Sequence, residues 1–290
     1  MMKTCISSYS FSKLTNSGAM THFEMMDKVK ELGIDALEFS TITVPEGKTL
    51  PEYAKELRAY ADKIGLPIVS YVIGANFMVE DIKAEIERVK GMVDIAEILG
   101  AKQMRHDIIY GYYEGYTGIK TFNAALPIIA PAIREVAEYA ASKGIVTMSE
   151  NHGYIAQDAD RMLALFTEVG HPNYRWLCDI GNFICADENP VISVGKLLPL
   201  VQHVHVKDFF LRDGMLPAPG KGWGQTRGGN YFRGTIYGQG NVPTLQCLRL
   251  LKQAGYDSYV SLEFEGIEDT LMSIEWGMEN IRRHIAMLEG

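Results

Sequence analysis

Residues 141–153 read ASKGIVTMSENHG. A helical pattern ends, a glycine follows, an apolar run of strand type begins, and that run finishes on a carboxylate. A glycine just past a helix adopts the left-handed conformation that closes the last turn, so the next strand can start within a few residues. The same punctuation recurs in KELGI, DKIGL, EILGA, TEVGH and KQAGY. With Gly144 of the quoted stretch, the junction glycines are Gly33, Gly65, Gly100, Gly170 and Gly255. Junctions of this kind, repeated along the chain, predict a βα repeat.

Eight short apolar runs accompany them: TCISSY, ALEFS, PIVSYVIG, KQMRHDI, IVTMSEN, RWLCDIG, HVHVKD and YVSLEFE. Between them lie patterns of helical period, clearest where Ile82, Ile86, Val89, Val93 and Ala96 recur at three- and four-residue steps. In THFE, Thr21 and Glu24 have capping-box spacing, which fixes a helix start near residue 22. Strands alternating with long helices predict a parallel sheet covered by helices, and eight strands are the number that closes into a barrel. No G-x-G-x-x-G follows any run, which disfavours a doubly wound dinucleotide-binding sheet. The expected fold is an α/β (β/α)8 TIM barrel, a single domain over residues 1–290 with a long loop after the seventh strand at about 211–241.

Composition agrees with a globular chain, 47% apolar and 22% charged. A formal charge of −8 disfavours nucleic acid, whose binding needs a basic stripe. No apolar stretch reaches the ~18–20 residues that cross a bilayer, so no membrane span is expected. The four cysteines form no C-x-x-C pair, and the start MMKTCISSYSF lacks an apolar core followed by a cleavage site. A reducing, cytoplasmic compartment is expected.

In such barrels the C-terminal ends of the strands face the site. Here those ends are polar: Glu38, His106, Glu150, Asp179, His205 with Asp208, and Glu263. Any one alone serves equally well as a helix cap or a solvated turn. Glu150, Asp179, His205 and Glu263, however, come from four consecutive strands, and closure brings them to one spot at the barrel mouth. Carboxylates converging there without a cation would repel and push protons onto one another. A divalent cation turns them into ligands. Three carboxylates and one imidazole suit Mn²⁺ foremost, with Mg²⁺, Co²⁺ and Zn²⁺ as alternatives, and leave coordination positions open to a substrate.

The fragments MSENHG, WLCDIGNF, HVHVKD, GQGNV and GYDSYVSLEFEG resemble the xylose isomerase-like TIM-barrel family, which includes sugar-phosphate isomerases, ketose 3-epimerases and, more distantly, endonuclease IV. The resemblance implies that Glu150, Asp179, His205 and Glu263 are metal ligands, with Glu150 and Glu263 doubling as catalytic acid and base. It implies a divalent-metal-dependent sugar or sugar-phosphate isomerase or epimerase, working by proton transfer through a metal-stabilised enediolate. Two departures bear on the substrate. Asn182 stands where many relatives have histidine, and Ala156 where the ketose 3-epimerases have a second glutamate. A metal-dependent lyase acting on keto-glycosides and a non-catalytic sugar-binding module are the alternatives.

A small-molecule sugar is the expected partner, and assembly into a homo-oligomer stays open. His106, Asn182 and His152 are candidates to bind sugar hydroxyls, and Glu38 either meets a hydroxyl or binds loop backbone. Lys207 faces the pocket or the barrel wall; Glu265 is expected to be solvated. The 211–241 segment is longer than an idle turn. It offers Arg212, Trp223 and Arg233 to a ligand if it forms a lid; a subunit contact or glycine-rich disorder are the other readings.

Overall fold

The computed structural model describes residues 1–289. Its strands are β1 (Lys3–Ser7), β2 (Ala36–Phe39), β3 (Ile68–Ile73), β4 (Gln103–His106), β5 (Val146–Glu150), β6 (Tyr174–Asp179), β7 (Val201–Val206), β8 (Asp208–Arg212), β9 (Gly224–Gln225), β10 (Tyr231–Thr235) and β11 (Tyr259–Leu262). Strands β1 to β7 and β11 pair in parallel and close a barrel, with β11 seated between β7 and β1. The helices are α1 (Ser12–Asn16), α2 (His22–Glu31), α3 (Leu50–Ile64), α4 (Ile82–Leu99), α5 (Phe122–Ser142), α6 (Ala159–Val169), α7 (Asn182–Cys185), α8 (Pro190–Leu197), α9 (Thr244–Gln253) and α10 (Thr270–Glu289). The chain is one (β/α)8 barrel.

Local chemistry explains these boundaries. The Thr21 hydroxyl accepts from the Glu24 amide while the Glu24 carboxylate accepts from the Thr21 amide, so α2 begins with the expected capping box. At the other end of the repeat, Gly65, Gly100 and Gly170 cap α3, α4 and α6 in the left-handed conformation. A Cβ there would be strained, which is why glycine marks the junctions. The apolar stripe of α4 packs inward through Ile86, Val89, Val93 and Ala96.

The main core lies between sheet and helices and includes Trp176, Phe183, Leu165 and Ile133. A separate small cluster, Val72, Met148 and Leu177, fills part of the barrel lumen. The register Val72 to Arg105 to Met148 puts Arg105 on this inner face. The pairs Ser7 with Glu38, Asp179 with His205 and Ser261 with His205 place those side chains on it too. The lumen is therefore unusually polar, with Glu38, Ser70, Arg105, His203, His205 and Ser261 all buried.

After β7 the chain forms a second sheet. β10 pairs antiparallel with both β8 and β9, so the 211–241 segment carries ordered strands where glycines had obscured the alternation. Asp208 anchors its return: the buried carboxylate accepts from the amides of Phe209, Gly238 and Gly240 at 2.9 Å and of Val242 at 3.1 Å.

Candidate active site

Glu150, Asp179, His205 and Glu263 are buried and meet at the mouth of the barrel. Each offers one ligand atom, and these atoms all lie within 4.8 Å of one another. His205 Nδ1 is 3.8 Å from Glu263 Oε1 and 4.0 Å from Asp179 Oδ2. Among the described residues His205 Nδ1 has no hydrogen-bond partner, and Asp179 Oδ2 has only the Lys207 ammonium, 3.1 Å away. A buried polar atom left unpaired is costly, and His205 Nδ1 converging with three carboxylates forms a set that a divalent cation satisfies. The residues present fit the ion.

The supporting groups fix the orientation of each donor. His205 Nε2 lies 2.7 Å from Glu38 Oε1, and His203 Nε2 lies 3.1 Å from Glu38 Oε2. Glu38 thus holds the far nitrogen of His205 and leaves Nδ1 for the centre, as a carboxylate behind a metal-bound imidazole does. It binds neither a loop backbone nor the cavity. Asn182 Nδ2 donates to Glu150 Oε1 at 2.6 Å and its amide to Asp179 Oδ1 at 2.8 Å. Its side chain is committed to positioning Glu150, where sequence reasoning had assigned it to a sugar hydroxyl. Asn151, buried beneath, accepts from Trp176 Nε1 and the Asp179 amide and donates to the Asp179 carbonyl.

Two buried cations share this acidic ring. Arg105 Nη2 lies 2.6 Å from Asp107 Oδ1 and 2.7 Å from Glu150 Oε2. Lys207 Nζ lies 2.8 Å from Glu263 Oε2, 2.7 Å from Glu265 Oε1 and 3.1 Å from Asp179 Oδ2. Gly181 makes room for the lysine stem, since a Cβ there would sit 2.5 Å from Lys207 Cγ. Burial opposes ionisation of Glu263, but Lys207 and His205 outweigh it and hold the carboxyl below its usual range. Asp179 moves the other way: burial raises it, and Glu150 and Glu263 add to the rise against the pull of Lys207. His205, despite its burial, is pushed up to about 10 by Glu38 and Glu263. That rise reflects the negative ring around the imidazole, the same field that favours a bound cation.

A cavity of about 300 Å³ opens above these groups, lined among others by Tyr9, Asp107, Tyr110, His152, Lys207 and Glu265. Of the expected contact residues, His152 lines it, with Nδ1 2.8 Å from Asp107 Oδ1. His106 does not. Paired in register with Ile73, it faces the helix layer, stacked on Tyr174 and edge-on to Phe77. The residues on either side of it, Arg105 and Asp107, line the cavity instead; the parity they share with Glu150 was the available signal. Arg212, Trp223 and Arg233 also lie away from this cavity. Arg233 sits over the rings of Phe210 and Trp223 and reaches Glu268 at 3.3 Å. Arg212 borders a separate cleft with Asp187 and Asn230. Arg212 and Arg233 stand on strands of the antiparallel sheet and Trp223 immediately precedes one, away from the barrel mouth. Glu265, expected in solvent, lines the cavity and is paired with Lys207.

The family model described as xylose isomerase-like TIM barrel matches residues 26–288. The chain belongs to this family. The chain is 26% identical over 189 residues to the uncharacterized protein YihM of Escherichia coli (strain K12), a match covering 65% of this chain and 49% of that protein. It thus spans about half the length of this curated relative. In fold it is similar to 3-keto-D-glucoside 4-epimerase, YcjR, from E. coli, with TM-score 0.70, 16% identity and coverage of 98% of this chain and 100% of that one. It is likewise similar to a xylose isomerase-like TIM barrel protein from Mycobacterium smegmatis in complex with magnesium, with TM-score 0.70, 20% identity and coverage of 92% and 89%. At these identities the likeness is one of architecture.

Proposed function

We propose that this protein is a divalent-cation-dependent isomerase or epimerase that moves a proton on a sugar carbon next to a carbonyl. The observation that carries the reading is the convergence of Glu150, Asp179, His205 and Glu263, with His205 Nδ1 buried and unpartnered, beneath a cavity of small-molecule size. Those four residues would hold the ion, Mn²⁺ by the hardness of the donors, and an ion so held polarises a carbonyl as a Lewis acid.

The protein's own groups supply the proton transfer. Lys207 keeps Glu263 ionised and pointed, ready to take a proton. Arg105 and Asn182 grip both oxygens of Glu150, so the second carboxyl stays on its own side of the cavity. Glu150 stands on β5 and Glu263 just beyond β11, with β6 and β7 between them. Carboxyls approaching a ligand from two sides suit epimerisation, and return of the proton to the adjacent carbon gives aldose–ketose isomerisation. Four free, buried cysteines suit a cytoplasmic setting, and among the described residues no helix is long and apolar enough to cross a membrane.

The test is a solvent-deuterium exchange screen of ketoses, keto-glycosides and sugar phosphates with added Mn²⁺. Deuterium appearing next to a carbonyl, and lost by at least a hundredfold in Glu150→Gln and Glu263→Gln, supports the reading on the scale usual for general acid–base groups, about 10²–10⁴. Release of an aglycone would instead make the protein a lyase of keto-glycosides. Saturable binding without exchange or release would leave a sugar-binding module.

A further inference from the structure

Building on the sugar isomerase or epimerase reading, we propose that the cavity is made for an uncharged carbohydrate, a free keto-sugar, and that Glu265 turns away phosphorylated and carboxylated sugars. Recognition of a phosphate or carboxylate needs N–H donors whose charge is still available. Here it is spent. Arg105 Nη2 is taken by Asp107 and Glu150, and Nη1 donates to the Ile73 carbonyl at 3.3 Å. Lys207 Nζ has three carboxylates within 3.1 Å. The His152 ring nitrogen Nδ1 is on Asp107. Among the described residues these are the only basic side chains on the cavity wall, against the carboxylates of Asp107, Glu150, Glu263 and Glu265. With Asp179 behind them, even a bound divalent ion leaves the site without net positive charge. A phosphate dianion would enter against like charge in a partly desolvated space.

Glu265 decides the matter at the rim. Its side chain is 30% exposed while that of Lys207 is 3% exposed, so an incoming solute meets the carboxylate more readily than the ammonium it neutralises. Gly234 lets the chain approach there: a Cβ on it would lie 2.5 Å from the Glu265 carbonyl. Tyr9 and Tyr110, 43% and 52% exposed, border the same opening. Their ring faces suit the apolar C–H face of a neutral sugar ring.

Calorimetric titration of wild type and Glu265→Gln, each with and without Mn²⁺, uses D-fructose, D-psicose, D-tagatose and L-ribulose, the phosphate esters of these sugars, and D-fructuronate. In wild type, at least one free ketose is expected to bind tenfold or more tighter than its own phosphate ester and than D-fructuronate. Glu265→Gln, by releasing one charge of Lys207, is expected to narrow that ratio about tenfold. A phosphate or carboxylate sugar binding as tightly as the free one, binding by no free ketose, or a ratio unmoved by Glu265→Gln would overturn the proposal. The deuterium screen reports separately: preference for free sugars without exchange defeats the isomerase reading alone, and exchange confined to phosphate esters defeats the present proposal alone.

Discussion

Replacement of Arg105 by methionine keeps most of the side-chain volume and removes the charge that two buried carboxylates share. Asp107 and Glu150 both lie under 3 Å from Nη2, with side chains 7% and 4% exposed. Burial alone would raise the Asp107 carboxyl; Arg105 is the largest influence against it, with His152 next, and together they hold it near 2 from an ordinary 3.8. That depression corresponds to about 2.5 kcal/mol of stability at neutral pH, present above the ordinary carboxyl range and lost as the pH falls through about 2. Glu150 adds a second unpaired charge, so Arg105→Met should cost about 3–5 kcal/mol. Urea unfolding at pH 7.5 followed by circular dichroism should show a midpoint lowered by about 1 M or more. In the variant Asp107 has lost its main counter-charge while burial still opposes its ionisation, so its protonation favours the folded state. The deficit should shrink as the pH is lowered toward 5. Adding Asp107→Asn removes one of the stranded charges and should recover about 1–2 kcal/mol. A loss below about 1 kcal/mol, or a deficit that widens on acidification, would refute the assignment of Arg105 as the counter-ion of this ring.

Glu38→Gln keeps an acceptor beside His205 but removes the charge, and should weaken Mn²⁺ binding about 10–100-fold by spin-resonance titration; equal affinity would show that Glu38 has no hold on the site. Asp208→Ala leaves the amides of Gly238, Gly240 and Val242 without their acceptor and should cost about 2–4 kcal/mol. Hydrogen exchange should accelerate at those amides, and unchanged protection would contradict the anchor. Gly181→Ala places a methyl against the Lys207 stem and should cost about 1–3 kcal/mol. A variant crystal structure with Lys207 undisturbed would count against the close fit.

The barrel was legible because its signals are local. Glycines at helix ends and apolar periodicity read the same from a line of letters as from coordinates, and the six junction glycines all have positive φ. The four converging residues were legible too, since a closed barrel forces consecutive strand ends together. What the letters hid was parity and pairing. In KQMRHDI a histidine drew the functional reading, yet strand pairing turns His106 outward and Arg105 inward. A basic residue in that position has no metal-binding look, and its value shows only when Glu150 is seen beside it. Lys207 was undecided, and Glu265 was expected in solvent, for the same reason: whether the lysine folds back over the ring to meet that carboxylate depends on the space Gly181 leaves. Glu38 sits 167 residues from His205, and no spacing rule links them. The antiparallel sheet after β7 was obscured by its glycines, so Arg212, Trp223 and Arg233 were assigned to the cavity on chemical type alone.

The most direct measurement is anomalous scattering at the manganese edge from crystals of the protein soaked with MnCl₂. The expected result is a peak enclosed by Glu150, Asp179, His205 and Glu263, abolished by Asp179→Asn with His205→Asn. A saturating soak that leaves this position empty, or places manganese elsewhere on the chain, would contradict the claim that these four side chains hold the ion.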